Sequence, residues 1–122
     1  MGMISKTHKG KHYEAVAERY LSGDGLSIIT RNFHARGGEI DLIMRDGQTI
    51  VFVEVRYRQS QHYGHAAETV TKSKMNNIIR AANVWLKQQG LSSYTTDYRF
   101  DLIAIHNDGK EIDWIQNAIT QG

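Results

Sequence analysis

Cysteine is absent from the 122 residues, which removes both a disulfide frame and a thiolate metal site from consideration. No apolar run approaches the ~18 residues that would cross a bilayer. Lys6 comes too early for an apolar leader, and it stands where a myristoylation signal starting at Gly2 needs Ser or Thr. The expectation is a cytoplasmic protein with no membrane partner. Charge of one sign is also scarce: fifteen Lys and Arg against thirteen Asp and Glu leave +2, too little to argue nucleic-acid binding from net charge. Repeats, low-complexity runs and linkers are lacking, so residues 1–122 read as a single domain with room for one core.

What is present gathers on Gly38 to Arg58, GEIDLIMRDGQTIVFVEVRYR. Two apolar runs, Ile40 to Met44 and Ile50 to Val55, flank an Asp46-Gly47 pair, the pattern of a β-hairpin. Both runs are nearly continuous instead of alternating, as in strands covered on both faces. Asp41 opens the first run and Glu54 nearly closes the second, so the hairpin folds the two acids back beside each other. Side chains two apart on a strand share a face, which puts Arg56 with Glu54. Two carboxylates ~4 Å apart at an effective dielectric of ~20 repel by roughly 4 kcal/mol, so a proton, a basic partner or a bound cation is required. From the residues alone, two readings stay open. Glu54 pairs with Arg56 or Arg58 while Asp41 caps a strand end, or the acids form an oxygen-ligand site for a hard divalent ion.

Around the hairpin, Thr7 to Ser22 reads as an amphipathic helix with Tyr13, Val16, Ala17 and Tyr20 on its buried face, and Gly23-Asp24-Gly25 ends it. Glu14 can flank that face or meet water. Leu26 to Phe33 is a strand, and His34 to Gly38 reads as a loop whose two glycines allow positive φ and the close approach of a large anionic ligand. Arg31, Asn32 and Arg36 beside it are candidate phosphate contacts or plain surface. Glu39 is placed on the face of Asp41, where it would orient a ligand or a basic residue.

Tyr57 to Ala67 reads as a loop; its His62 and His65 lack the further ligand that zinc needs. Thr71 is an N-cap for a helix that stops at Gly90, with Ile78, Ala81, Ala82 and Trp85 buried. Lys72 and Lys74 in its first turn oppose the macrodipole and suit a phosphate. Tyr98 to His106 and Glu111 to Ile115 complete the strands, with a turn at Asn107 to Lys110.

Asp, hairpin, then Glu-x-Lys on the next strand is the signature of the restriction-endonuclease-like, or PD-(D/E)xK, nucleases. The chain resembles one group of them, the bacterial YraN-like family, which is similar to the archaeal Holliday junction resolvases. The resemblance is carried by Lys9-Gly10 to Glu14 with Ala17, Tyr20-Leu21, Arg31-Asn32, Gly38 to Ile43, Phe52 to Val55, Arg58, Lys74 and Arg99 to Asp101. It implies an α/β fold with a mixed sheet of about five strands flanked by helices, in the order αβββαββ. It also implies phosphodiester hydrolysis in DNA with Mg2+ or Mn2+, on branched or junction DNA, by a homodimer.

By that resemblance Asp41, Glu54 and Arg56 are the catalytic candidates. Asp41 and Glu54 would hold the metal with the Val55 carbonyl and Glu14, which matches a first-helix acid of related nucleases, here preceded by Tyr13 instead of Gly. Glu39 is the outer acid. Arg31, Asn32, Arg36, Arg58, Lys72 and Lys74 are the nucleic-acid candidates. Arg56 stands where the pattern has Lys, and an arginine does not take a proton from water. Lys74 is then the alternative source of the missing ammonium group. The substitution keeps two other classes open, a non-catalytic nucleic-acid-binding module and a component of a DNA-processing complex.

Overall fold

The computed structural model describes residues 2–58 and 71–119, with side chains described over 10–57 and 71–119. In chain order the elements are α1 (Gly2–Gly23), β1 (Ser27–Ala35), β2 (Gly38–Asp46), β3 (Thr49–Arg58), α2 (Lys72–Gln88), β4 (Tyr98–His106), a 3-10 turn (Asn107–Gly109) and β5 (Glu111–Ile115). The predicted order αβββαββ is therefore the observed one.

The five strands form one sheet in sequence order. All neighbours are antiparallel except β3 and β4, which α2 links as a parallel pair. The Asp-Gly signal closes the β2–β3 hairpin, where Asp46 pairs with Thr49 across Gly47-Gln48 and Gly47 takes φ +63°.

The continuous apolar runs have a simple cause. Along β3, Ile50 and Phe52 pack under α2 against Ile78, Ala81, Trp85 and Leu86, whereas Val51 and Val53 pack under α1 with Tyr13, Ala17 and Leu21. Successive residues thus feed opposite cores, and neither face of the central strand meets water. An α/β fold with a five-stranded mixed sheet between two helices is what the restriction-endonuclease-like reading required.

Several boundaries differ from expectation. Tyr20 is 42 % exposed, and the buried stripe of α1 is Tyr13, Ala17 and Leu21, one residue in four along a straight line on the helix. The stretch read as a loop before the acidic strand is a two-residue turn: Ala35 pairs with Gly38, and only Arg36 and Gly37 lie between. Gly37 does take φ +88°, but Gly38 approaches no ligand; a Cβ there would collide with the Asn77 carbonyl of α2. Tyr57 and Arg58 belong to β3, and residues 59–67 of the expected loop, with His62 and His65, lie outside the described residues.

The α2 reading holds closely. The Thr71 hydroxyl accepts from the Lys74 N–H at 3.1 Å, and Gly90 at φ +73° follows the last turn.

Candidate active site

The β2–β3 ladder ends at Leu42 and Val53. One step further, Asp41 and Glu54 face each other, and there the pairing is taken over by a side chain: the Val55 N–H donates to Asp41 Oδ2 at 2.8 Å. Strict alternation fails on β2 at the same place, since Ile40 and Ile43 both pack on the α2 side.

Glu54 is 5 % exposed and shares a hydrogen bond with Asp41. Burial, then this bond and the Asp41 charge push the Glu54 carboxyl up to about 8, against the pull of Lys74 and Arg56. Both cations touch it: Arg56 Nη2 lies 3.3 Å and Lys74 Nζ 3.5 Å from Glu54 Oε2. Thus α2 delivers its disfavoured first-turn lysine to the acidic pair. Arg56 Nε is buried with no partner, an unusual cost that leaves one donor available to an incoming acceptor.

Glu14 of α1 approaches from the other side of the sheet. Burial and the Asp41 charge, with a smaller contribution from Glu39, raise it to about 7, while a hydrogen bond from Asn32 and the charge of Lys11 oppose the shift. Asn32 lies across from Asp41, between the pairs Arg31 with Leu42 and Phe33 with Ile40. Its backbone is left-handed at φ +52°. Consecutive strand residues ordinarily face opposite ways, but this turn of the chain places Asn32 beside Arg31 on the α1 side, where both line one cavity with Glu14. Tyr13 and Tyr57 stack with ring centres 3.9 Å apart, and Tyr57 donates to Asp108 at 3.0 Å. That stack fixes α1 on β3 one residue from Glu14 and one from Arg56.

The other predicted residues scatter. Glu39 is half exposed and pairs with His34 at 3.2 Å. Arg31 forks onto Glu18 at 2.7 and 2.8 Å. Arg36 is exposed on the turn and Lys72 on the first turn of α2. Arg58 ends β3, and its side chain lies outside the described residues. Glu18 and Lys11 did not figure in the sequence reading, although Glu18 follows Glu14 by four, the spacing that shares a helix face.

Asp101, one of the residues carrying the resemblance, has a different part. It is fully buried and accepts from Arg99 Nε at 3.1 Å, Trp114 Nε1 at 2.9 Å and the Asn117 N–H at 3.0 Å. Arg99 also reaches Asp46 at 3.1 Å. This network ties β4 and β5 to the hairpin end remote from Glu54.

Two hard oxygen donors set against each other suit a divalent cation, because the ion relieves the repulsion between them. Among the described residues, no group of three or more acid or histidine side chains closes on a single point, so Glu14 is not grouped with Asp41 and Glu54 as the third ligand expected from the sequence.

The family comparison agrees with this geometry in extent. The pattern of the uncharacterised protein family UPF0102 matches residues 13–105, from the stacked Tyr13 to β4. The chain belongs to UPF0102. Similar UPF0102 proteins come from Vibrio cholerae serotype O1 (52 % identical over 122 residues) and Vibrio campbellii (51 % over 122), each match covering all of both chains. One from Aliivibrio salmonicida is 50 % identical over 118 residues, 97 % of this chain and 96 % of its own. This UPF0102 membership is the YraN-like kinship read from the sequence. Among the described residues no helix is long and apolar enough to cross a membrane.

Proposed function

We propose that the chain is a metal-dependent endonuclease that hydrolyses phosphodiester bonds in DNA, with branched or junction DNA as the substrate class. The observation that carries this reading is the buried Glu54 carboxyl set against Asp41, with Lys74 and Arg56 on its Oε2 oxygen. A satisfied structural acid has no reason to be buried against another acid.

Asp41 and Glu54 would hold Mg2+ or Mn2+. When bound, such an ion polarises the phosphoryl oxygen and offsets charge on the leaving oxygen. The Val55 N–H fixes one Asp41 oxygen and so orients the other. Arg56 stays protonated at any ordinary pH; its unpartnered Nε and its Nη2 offer a clamp for a phosphate oxygen, in which role it stabilises charge without moving a proton. Lys74 Nζ, 3.5 Å from Glu54 Oε2, would stand in for the lysine that the strand lacks. Lys72 and Arg36 present charge to the nucleic-acid backbone outside it.

The test is calorimetric titration of Mg2+ and Mn2+ into wild type and Asp41→Ala, followed by incubation of both with branched, single-stranded and duplex DNA. Metal binding and cleavage that both vanish in Asp41→Ala are expected. Absence of both in the wild type on every substrate would overturn the enzyme reading. The incomplete acid cluster favours one second reading, a nucleic-acid-binding module without hydrolysis; binding of DNA with no metal dependence would establish it.

A further inference from the structure

Beside the acidic pair, α1 and the β1–β2 hairpin enclose a cavity of about 290 Å3 lined by Lys11, Glu14, Ala15, Glu18, Arg31, Asn32 and Leu42. It reaches the candidate site through Glu14, whose neighbours include Asp41. Nothing in the phosphodiester chemistry above uses it.

Three features of this cavity bear on what it could hold. Asn32 adopts a left-handed backbone inside a strand, a conformation that asparagine takes more readily than other residues with a side chain. Its amide lines the cavity wall beside Glu14. Arg31 and Glu18 form a two-point fork at 2.7 and 2.8 Å, yet Arg31 is 59 % exposed. A surface ion pair of this kind adds little stability. It does hold the guanidinium as a rigid plane with its charge already compensated, which makes it unsuited to gripping a phosphate and well suited to stacking on a base. Lys11, whose charge also acts on Glu14, supplies an ammonium at the rim.

We propose that this cavity receives one unstacked nucleobase of the strand being cut, lying on the Arg31–Glu18 plane with its edge against the Asn32 amide and its own phosphate toward Lys11. At about 290 Å3 it lies near the lower limit of small-molecule pockets, ~300 Å3, room for a single nucleotide residue and not for a stretch of chain. A base buried in it has left its helix, and unstacking is least costly where the strand is already single or at a branch. The substrate class is therefore DNA that is unpaired at one position beside the scissile bond. This deepens the nuclease reading and rests on it for the word "cut"; the base pocket itself can be tested without cleavage.

The experiment is an NMR titration of the full chain, following the Arg31 Nε–H and the Asn32 side-chain amide. One ligand is deoxyadenosine 5′-monophosphate and the other is deoxyribose 5-phosphate, which has the same phosphate and no base. The nucleotide is expected to shift both signals and to bind at least ~tenfold more tightly than the base-free sugar, with Arg31→Lys abolishing the difference, since lysine keeps the charge and loses the plane. Equal binding of the two ligands, or shifts that avoid Arg31 and Asn32, would overturn the proposal and leave at most a phosphate site. Independently, an abasic residue is walked along a single-stranded substrate. At one position it is expected to lower kcat/KM at least ~tenfold in wild type and to have little effect in Arg31→Lys. If the wild type cuts nothing, the nuclease reading falls while the titration still decides the pocket. If it cuts and no position responds, the pocket falls and the nuclease reading stands.

Discussion

Glu54 and Asp101 are two buried acids on neighbouring parallel strands, and they live by opposite rules. Asp101 is met by donors on both oxygens, from an arginine, an indole and a backbone amide. Glu54 is met by another acid, with two cations arriving later in the chain to share one of its oxygens. Burial is equal in kind; the supply of donors differs. A carboxylate surrounded by donors is a fastener. A carboxylate held against another carboxylate stores repulsion that a cation can release, which is how an acid is kept ready for use.

Five substitutions test that contrast. Asp101→Ala strands Arg99, Trp114 Nε1 and the Asn117 N–H, and is expected to cost ~3–5 kcal/mol in urea unfolding, with the fold at risk. Asp41→Ala should leave urea stability close to wild type and abolish calorimetric metal binding. Cleavage should fall by more than the ~10–100-fold typical of an outer partner. A stability loss as large as that of Asp101→Ala would erase the distinction between the two acids.

Lys74→Met keeps both proposed metal ligands. It should spare metal affinity to within a few fold and lower kcat by ~10²-fold, whereas Lys72→Met, one turn position away and exposed, should mainly weaken DNA binding as salt rises. Equal effects of the two would remove Lys74 from the chemistry.

The smallest effect is on pH dependence. Folded Glu54 keeps its proton up to about 8, against 4.5 for an ordinary glutamate, and Glu14 does so up to about 7. The folded chain thus binds more protons than the unfolded one across that window, so metal-free stability falls as pH rises from about 4.5 through 8. Glu54→Gln should flatten the Glu54 part of this slope and gain on the order of 1 kcal/mol at pH 9. Added Mg2+ should restore wild-type stability at pH 9 and not at pH 5, measured by thermal melts at each pH.

How far the sequence discloses this follows from the range of each interaction. The hairpin, the α2 stripe and the meeting of Asp41 with Glu54 depend on near neighbours and a two-residue turn, and they were legible in the residues. Lys74 was legible for a different reason: it sat where helix electrostatics disfavour it, and that local disagreement marked a long-range partner. The Glu18 fork on Arg31 spans thirteen residues between a helix and a strand, and Asn32 takes a left-handed backbone angle that its neighbours give no sign of. Gly37-Gly38 carried a real signal attributed to the wrong partner, because a glycine announces close approach without naming what approaches. Tyr20 was misplaced because a stripe at positions 13, 17 and 21 and one at 13, 16, 17 and 20 differ by a small rotation that only docking decides.

Gly38 sets a clearance. Its bare α-carbon touches the carbonyl of Asn77, one helical turn beyond Lys74, so the start of the strand that carries Asp41 serves as a shim beneath the helix that carries the amine. A single methyl group added at position 38 bears no charge and cannot reach Glu54. It would nonetheless lift that turn of helix and open the 3.5 Å gap between Lys74 and Glu54, detuning the site from outside it while every reactive group remained in place.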